Sequence, residues 1–532
     1  MNNIGPAANL AHTPQTLPLP QAFALAEQHR QAGRFQAAEE LCREILIAVP
    51  GHAETLHLLG VIAHQAGKPA VAIEFVRQAI ASDGRVPLYH CNLGEMCRLA
   101  GRPDEALAAG RQAVALRPDF PEALNNLGIA HYDRGEFGEA VAQYRRAIEL
   151  VPSYAEAHSN LGNALRALRR LDEAITAYTR ALELKPAFAD AFSNRALTYH
   201  LLARFDEAVA DFRRAIAIQP LHGNAHSGLA MNCLLRGRFS EGLVEYEWRW
   251  RSSELPSRPP MPTPWKGEDP RAKRLLVHCE QGLGDTLHFC RYLPLLRERG
   301  AKVVLHVQKT LRSLIADAMP WLEVVPEGEA LPATDMQCAL LSLPHLLGTT
   351  LDTIPATIPY LHANEKIVSR FAAMLGQEAK LKVGIVWAGS AKHLNDVDRT
   401  IALSTLSPIL MVKGVRFFSL QIGARPGDRL ADPVTDLAPM LTDFAHTAGA
   451  LAALDLLISV DTAPVHLAGA MGKPVWVLLP FVPDWRWLLE REDSPWYPTL
   501  WLFRQQTRGD WRAPVEAVAK TLNDLVQNGQ AR

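Results

Sequence analysis

Cysteine is too sparse and too scattered in this chain for a disulfide scaffold. Seven occur in 532 residues, at positions 42, 91, 97, 233, 279, 290 and 338, with no CxxC pair among them. An odd, dispersed set reads as reduced thiols that fill core space, and it points to the cytoplasm. An excess of one charge sign is missing too. With 55 Lys and Arg against 56 Asp and Glu, the formal net charge is -1, so nothing global suggests a nucleic-acid partner. No apolar run is long enough to span a bilayer; the longest lies around Val475 to Pro480. Residues 1–18 lack a basic start and an apolar stretch, so they read as a flexible tail and not as a secretory signal. Apolar content of 48% and charged content of 21% are those of a soluble globular protein. The length exceeds what one core can organise, so several domains are expected.

The strongest positive feature is a repeat of 34 residues. Pro50, Gly84, Pro118, Pro152, Pro186 and Pro220 fall in one column, and Gly60, Gly94, Gly128, Gly162, Ala196 and Ala230 in a second. A third holds Gly33, Gly67, Gly101, Gly135, Arg169, Ala203 and Gly237; a fourth holds Ala38, Ala72, Ala106, Ala140, Ala174, Ala208 and Gly242. Small residues in the second and fourth columns let two antiparallel helices approach closely. The third column suits a left-handed turn between them, and the proline ends the second helix. This pattern, with text such as PEALNNLGIAHYDRGEFGEAVAQYRRAIELVP, resembles the tetratricopeptide repeat over residues 19–256. The resemblance implies a right-handed α-solenoid of paired helices. Its last unit runs into YEWRWR at 246–251, which reads as a cap docking on the next domain.

A further column, Asn92, Asn126, Asn160 and Asn194, lies on the first helix of successive repeats. An Asn amide offers a donor and an acceptor, so a row of them can grip an extended peptide backbone. A similar ladder serves that purpose in protein O-linked N-acetylglucosamine transferases, and the resemblance implies a protein or peptide acceptor held there. The plainer alternative is a polar residue tolerated on an exposed helix face.

Past residue 251 the text turns proline-rich and polar, and residues 257–271 read as a linker. Beyond it, apolar runs alternate with helical stretches: 275–280, 303–308, 338–343, 383–388, 417–422, 454–461, 475–480 and 500–503. Such runs argue for buried parallel strands in an α/β arrangement. The series fades near Tyr360 and restarts at Lys382, with a bridging helix between. Two Rossmann-like lobes, 272–375 for the acceptor and 376–532 for the donor, form the GT-B arrangement, with ligands at the carboxyl ends of the strands.

Three strand-to-helix loops could carry chemistry. In the first, Gln281, Gly282 and Gly284 lead to Asp285, and GLGDTLHFCRYLPLL resembles the first loop of lipopolysaccharide heptosyltransferases. A third glycine of a dinucleotide fingerprint is absent, since Leu287 stands there. In the family the matching aspartate is the proposed general base; the alternative for Asp285 is a helix cap. In the second, Asp461, Thr462, Ala463 and His466 open DTAPVHLAGAMGKP, which resembles the same family's nucleotide-sugar site. The family usually has Gly where this chain has Ala463, and a core role for His466 is the alternative. In the third, Gly389, Ser390 and Lys392, with Arg399 downstream, are plausible phosphate ligands. Asp396 and Asp398 are discounted as a metal site. The aromatic segments 483–487 and 494–497 either wall the donor base or pack in the core.

The expectation is therefore a glycosyltransferase that moves a sugar from a nucleotide-diphosphate sugar to an acceptor hydroxyl. It would be metal-independent and inverting, with no bound cofactor, no nucleic acid and no membrane span. Two alternatives stand beside it: a non-catalytic peptide-binding scaffold, and a saccharide transferase whose repeats serve assembly.

Overall fold

The computed structural model describes residues 17–251, 263–376, 380–391, 396–423, 428 and 434–528. The chain divides into two compact units, Met1–Thr198 and Tyr199–Arg532. Among the described residues no helix is long and apolar enough to cross a membrane.

Paired helices begin at Leu19, and the spacing of the sequence columns explains them. Each pair opens with a helix of 13 residues, from Leu19–Gln31 through Ala189–Leu201 to Gly223–Leu235. A second helix follows, of 14 residues from Phe35–Ala48 to Phe205–Ile218; the last, Phe239–Tyr246, has 8. The turn inside each pair is left-handed. Gly33, Gly67, Gly101, Gly135 and Gly237 have φ of 71–76°, and Arg169 and Ala203 adopt the same conformation at 62° and 57°. The second-column glycines make room for a partner helix. A Cβ on Gly162 would lie 2.6 Å from the Tyr178 ring, and one on Gly128 2.5 Å from Tyr144. Both tyrosines are buried, so neither ring can yield.

After the final repeat the unit Tyr199–Arg532 builds two parallel sheets. Strands β1 (Arg274–His278), β2 (Lys302–Val307), β3 (Glu323–Pro326) and β4 (Met336–Ala339) form the first, in the order β3-β2-β1-β4. Strands β5 (Leu381–Val386), β6 (Val415–Ser419), β7 (Val434–Asp436), β8 (Leu456–Val460), β9 (Val475–Leu479) and β10 (Leu500–Arg504) form the second. Its order is β10-β9-β8-β5-β6-β7. Counted within each sheet, the orders are 3-2-1-4 and 3-2-1-4-5-6, which reverse direction beside β1 and β5. Open parallel sheets bind ligands at such reversals, off the carboxyl ends of the strands.

All eight apolar runs contain strands. The structure adds β3 and β7, two short edge strands that the sequence reading lacks. It also ends β4 at Ala339, where the run 338–343 turns into a 3-10 helix, Leu340–Ser342. Within the stretch read as linker, Trp265 is buried and its amide bonds the Gln337 carbonyl at 2.8 Å, extending the edge at β4. The bridging helix, Glu365–Leu375, packs Ile367 against Gly449 of the helix Phe444–Ala452. All seven cysteines are free thiols, six of them buried.

Candidate functional site

The first two loops meet at the carboxyl ends of β1 and β8. Beyond β1 the chain turns through residues 279–282 into the helix Leu283–Phe289. Gln281 takes a left-handed backbone, φ 64°, which is costly for a residue with a side chain. Its side-chain oxygen accepts the Tyr246 hydroxyl at 3.2 Å. One residue earlier, Glu280 accepts from Arg249 at 2.8 Å, and Arg249 also donates to the Ser342 hydroxyl at 2.8 Å. Both charged side chains are buried, and burial pushes Glu280 up to about 7 against the pull of Arg249. Tyr246 and Arg249 belong to the end of the last helix and the 3-10 turn Glu247–Arg251. The terminal unit of the repeats thus holds the loop from behind, as the docking cap read at 246–251 requires.

Beyond β8 the helix Ala463–Ala470 begins with Thr462 at its N-cap, and no side chain caps it. The Thr462 hydroxyl turns back to the Val460 carbonyl at 3.1 Å. Pro464 occupies the first turn, and Gly472 follows the end with φ 71°. Gly284 is glycine because this helix lies against it. A Cβ there would come within 3.0 Å of His466 Cδ2 and 3.4 Å of Ala463 Cα. The Ala463 methyl lies 3.7 Å from the same point, so it faces the 283–289 helix.

Asp285 is the third residue of its helix, and both carboxylate oxygens are engaged. Oδ2 accepts the Gly282 amide at 2.9 Å, which is the helix cap. Oδ1 accepts Arg486 Nη2 at 2.5 Å. Arg486 lies in the 3-10 turn Trp485–Trp487 after β9, buried over the rings of Phe289 and Trp485. It also donates to Asp484 at 2.8 Å, while its Nε has no partner. Burial opposes its charge, but Asp484 and Asp285 outweigh burial and raise its pKa.

Asp461 sits beside this group. Burial and the nearby Asp484 carboxylate push it up to about 6, against the charges of Arg399 and Arg486. His466 Nε2 approaches Asp461 Oδ1 at 3.8 Å. This is no ion pair, because burial, with Arg486 and Arg291 nearby, holds the imidazole well below its usual range and neutral. His466 Nδ1 and His288 Nδ1 share the Tyr497 hydroxyl, at 3.2 and 2.9 Å. The Trp487 ring stacks on His466, and Trp485, Trp487, Trp496 and Tyr497 are all buried. Of the two readings of these aromatic segments, core packing is the one observed.

The third loop follows β5. Gly389 is half-buried and Ser390 exposed, while Lys392 lies outside the described residues. A Cβ on Gly389 would collide with the Arg399 guanidinium. Arg399 Nη1 donates to the Asp461 carbonyl at 3.1 Å, and its buried Nε lies 3.6 Å from Asp396 Oδ1 in an ion pair. Arg399 therefore links the third loop to the second. Asp396, discounted as a metal ligand, is buried and accepts the Thr400 hydroxyl at 3.2 Å.

In the unit Met1–Thr198 the asparagine column is half-buried. Each amide reaches back 35 residues: Asn92 to His57 Nε2 at 2.8 Å, Asn126 to Cys91 Sγ at 3.4 Å, and Asn160 to Asn125 Oδ1 at 3.0 Å. Burial brings His57 down to about 4, which leaves its ring free to accept. One N–H of these three side chains thus ties successive repeats together, which narrows the expected donor-and-acceptor pair. The side-chain oxygens of the three make no hydrogen bond among the described residues. Asn194 occupies the matching place on Ala189–Leu201.

In the sequence the role of Arg486 is hidden behind the tryptophans on either side of it. The one signal present was an arginine set between Trp485 and Trp487, since an arginine among aromatics is stacked and immobilised.

Comparison with known proteins bears mainly on the repeats. Protein FlbA of Caulobacter vibrioides is 27% identical over 289 residues, 49% of this chain and 48% of that protein. The chain thus spans about half the length of the curated relative it matches. Among solved structures, the APC/C hetero-tetramer Cut9-Hcn1 is 21% identical, with 40% of this chain and 42% of that one covered and a TM-score of 0.38. PilW, a type IV pilus biogenesis factor, is 20% identical, with 40% and 98% covered and a TM-score of 0.37. A thermophilic tetratricopeptide repeat protein of Thermus thermophilus is 26% identical, with 32% and 92% covered and a TM-score of 0.29. At those scores the likenesses decide nothing about activity. The tetratricopeptide repeat family matches at residues 23–87, 65–121, 98–155, 125–189 and 159–222. Residues 23–222 are therefore tetratricopeptide repeats, an array of a kind that commonly binds protein or peptide partners.

Proposed function

We propose that the chain is a GT-B glycosyltransferase that moves a sugar from a nucleotide-diphosphate sugar to a hydroxyl of a protein held by the repeats. The observation that carries this reading is the meeting of two helix starts, at Gly282 and Thr462, off the carboxyl ends of two parallel sheets. A carboxylate stands on one side and a helix start without a side-chain cap on the other. The strand orders 3-2-1-4 and 3-2-1-4-5-6 support two Rossmann-like lobes with a ligand site at each reversal.

In this reading Gln281, Gly282 and Gly284 shape the acceptor loop, and Asp285 takes the proton from the acceptor hydroxyl. The hydroxyl oxygen attacks the anomeric carbon opposite the diphosphate, so the centre inverts. The bond from that carbon to the diphosphate breaks, and its electron pair leaves with the nucleoside diphosphate. The helix start at Thr462 and Ala463, the Gly389–Ser390 loop and Arg399 meet the departing charge, and the step calls on no metal. Lys392 is given the same duty from its place in the sequence. Asp461 and neutral His466 orient the donor.

Both this reading and a purely binding role use the repeats to hold protein. The side-chain oxygens of the asparagine column supply acceptors for main-chain N–H groups of an extended peptide. Replacing Asn126, Asn160 and Asn194 together by alanine is expected to slow transfer to the protein acceptor by about 10- to 1000-fold, from three lost hydrogen bonds. Hydrolysis of the donor by water should continue at its original rate. Thermal melts identify any loss that comes from the inter-repeat bonds of Asn126 and Asn160. Unchanged transfer to protein in a folded variant would remove the peptide grip from this account.

A further inference from the structure

As found here Asp285 is a weakened base, because its two oxygens accept from Gly282 and from the charged Arg486, which favours the ionised carboxylate. The Gly282 bond is local and belongs to the helix cap. The Arg486 bond spans 201 residues and joins the two sheet modules, so it is the bond that can exchange. One guanidinium charge serves two carboxylates, Asp285 and Asp484, and its Nε is a third donor, buried and without a partner. Arg486 also neighbours the start of the 463–470 helix. Trp487, the next residue, stacks on His466 of that helix, whose Nε2 lies 3.8 Å from Asp461 Oδ1. An anion arriving at that helix start comes up against Arg486. A diphosphate carries more charge than a carboxylate and matches the guanidinium fork, so it competes well for it.

We propose that Arg486 is shared between Asp285 and the diphosphate of the donor. It neutralises Asp285 while the donor site is empty and shifts to the diphosphate when the donor binds. That shift leaves Asp285 Oδ1 open to the acceptor hydroxyl. Asp484 keeps the arginine tethered throughout, since it also accepts the Arg486 main-chain N–H at 3.0 Å. The proton of the acceptor hydroxyl then passes to Asp285, the new bond to the anomeric carbon forms, and the nucleoside diphosphate leaves with the electron pair of the broken bond. Arg486 faces that leaving charge. Without a donor, the base stays paired and the site is silent.

This inference rests on the proposed transferase reading, and a binding cycle separates the two. Calorimetric titration of the full chain with ADP, GDP and UDP is run on the unaltered protein, Asp285→Asn, Arg486→Met and the double variant. Asparagine keeps an oxygen for the Gly282 cap, and Arg486→Lys stands in if the methionine variant fails to fold. If Arg486 is shared, Asp285→Asn binds the preferred nucleotide at least about tenfold more tightly, because the competitor for the guanidinium is gone. Arg486→Met binds it at least about tenfold more weakly, and Asp285→Asn brings no gain in that background. A gain of equal size in both backgrounds means simple charge repulsion by Asp285 and overturns the shared arginine. An Asp285→Asn affinity equal to or below that of the unaltered chain overturns it as well. Absence of binding by any of the three nucleotides to the unaltered chain overturns the transferase reading itself, and the shared arginine falls with it.

Discussion

Asp285→Asn is expected to lower sugar transfer by about 10²- to 10⁴-fold while nucleotide binding survives. The substitution is nearly isosteric. The side-chain oxygen of asparagine can still take the Gly282 amide, so the start of the 283–289 helix persists. What disappears is the group that accepts the acceptor's proton. The assay is release of nucleoside diphosphate in the presence of the protein acceptor, with binding measured on the same sample. Turnover near that of the unaltered chain would return Asp285 to the role already visible in the structure, that of a helix cap.

Arg249→Met is expected to cause the largest loss of stability, about 3–5 kcal/mol, because it leaves Glu280 buried without its partner. In a unit of this size that lowers the melting temperature on the order of 5–10 °C. The pH dependence has a defined sign. Glu280 is already raised from 4.5 to about 7 in the folded chain, chiefly by burial. A raised carboxyl favours the folded state at low pH, and that contribution is lost as pH rises from about 4.5 through 7. Removing Arg249 pushes the folded value higher still. The variant's deficit should therefore be larger at pH 8 than at pH 6, where Glu280 can take up a proton. Adding Glu280→Gln should restore much of the loss at pH 8. Melts at both pH values check this, and an equal deficit at the two would contradict the buried-pair account.

Local chemistry made the repeats readable and long-range chemistry hid the site. Glycine at 33, 67, 101, 135 and 237 marks a left-handed turn by itself. Arg169 and Ala203 could be placed there only because they share the column. The central strands declared themselves as apolar runs, being buried on both faces. β3 and β7 did not, because each is an edge strand with exposed positions such as Glu323 and Asp436. Trp265 was obscured by the prolines around it. The three helix starts followed from their glycines, Pro464 and the strand before each. The pairs Arg486–Asp285 and Arg249–Glu280 bring together residues 201 and 31 positions apart, and no local pattern announces them. The asparagine column was legible as a column, but the repeat-to-repeat bond of each amide emerged only once helices from adjacent repeats lay side by side.

Binding of a diphosphate at the 463–470 helix start is the central requirement of the proposed transferase. A thermal-shift panel of the full chain with ADP, GDP and UDP, each against its monophosphate, measures this. At least one diphosphate is expected to raise the melting temperature, and to do so more than the matching monophosphate. No shift with any diphosphate, or equal shifts with both members of every pair, would contradict the proposed transferase.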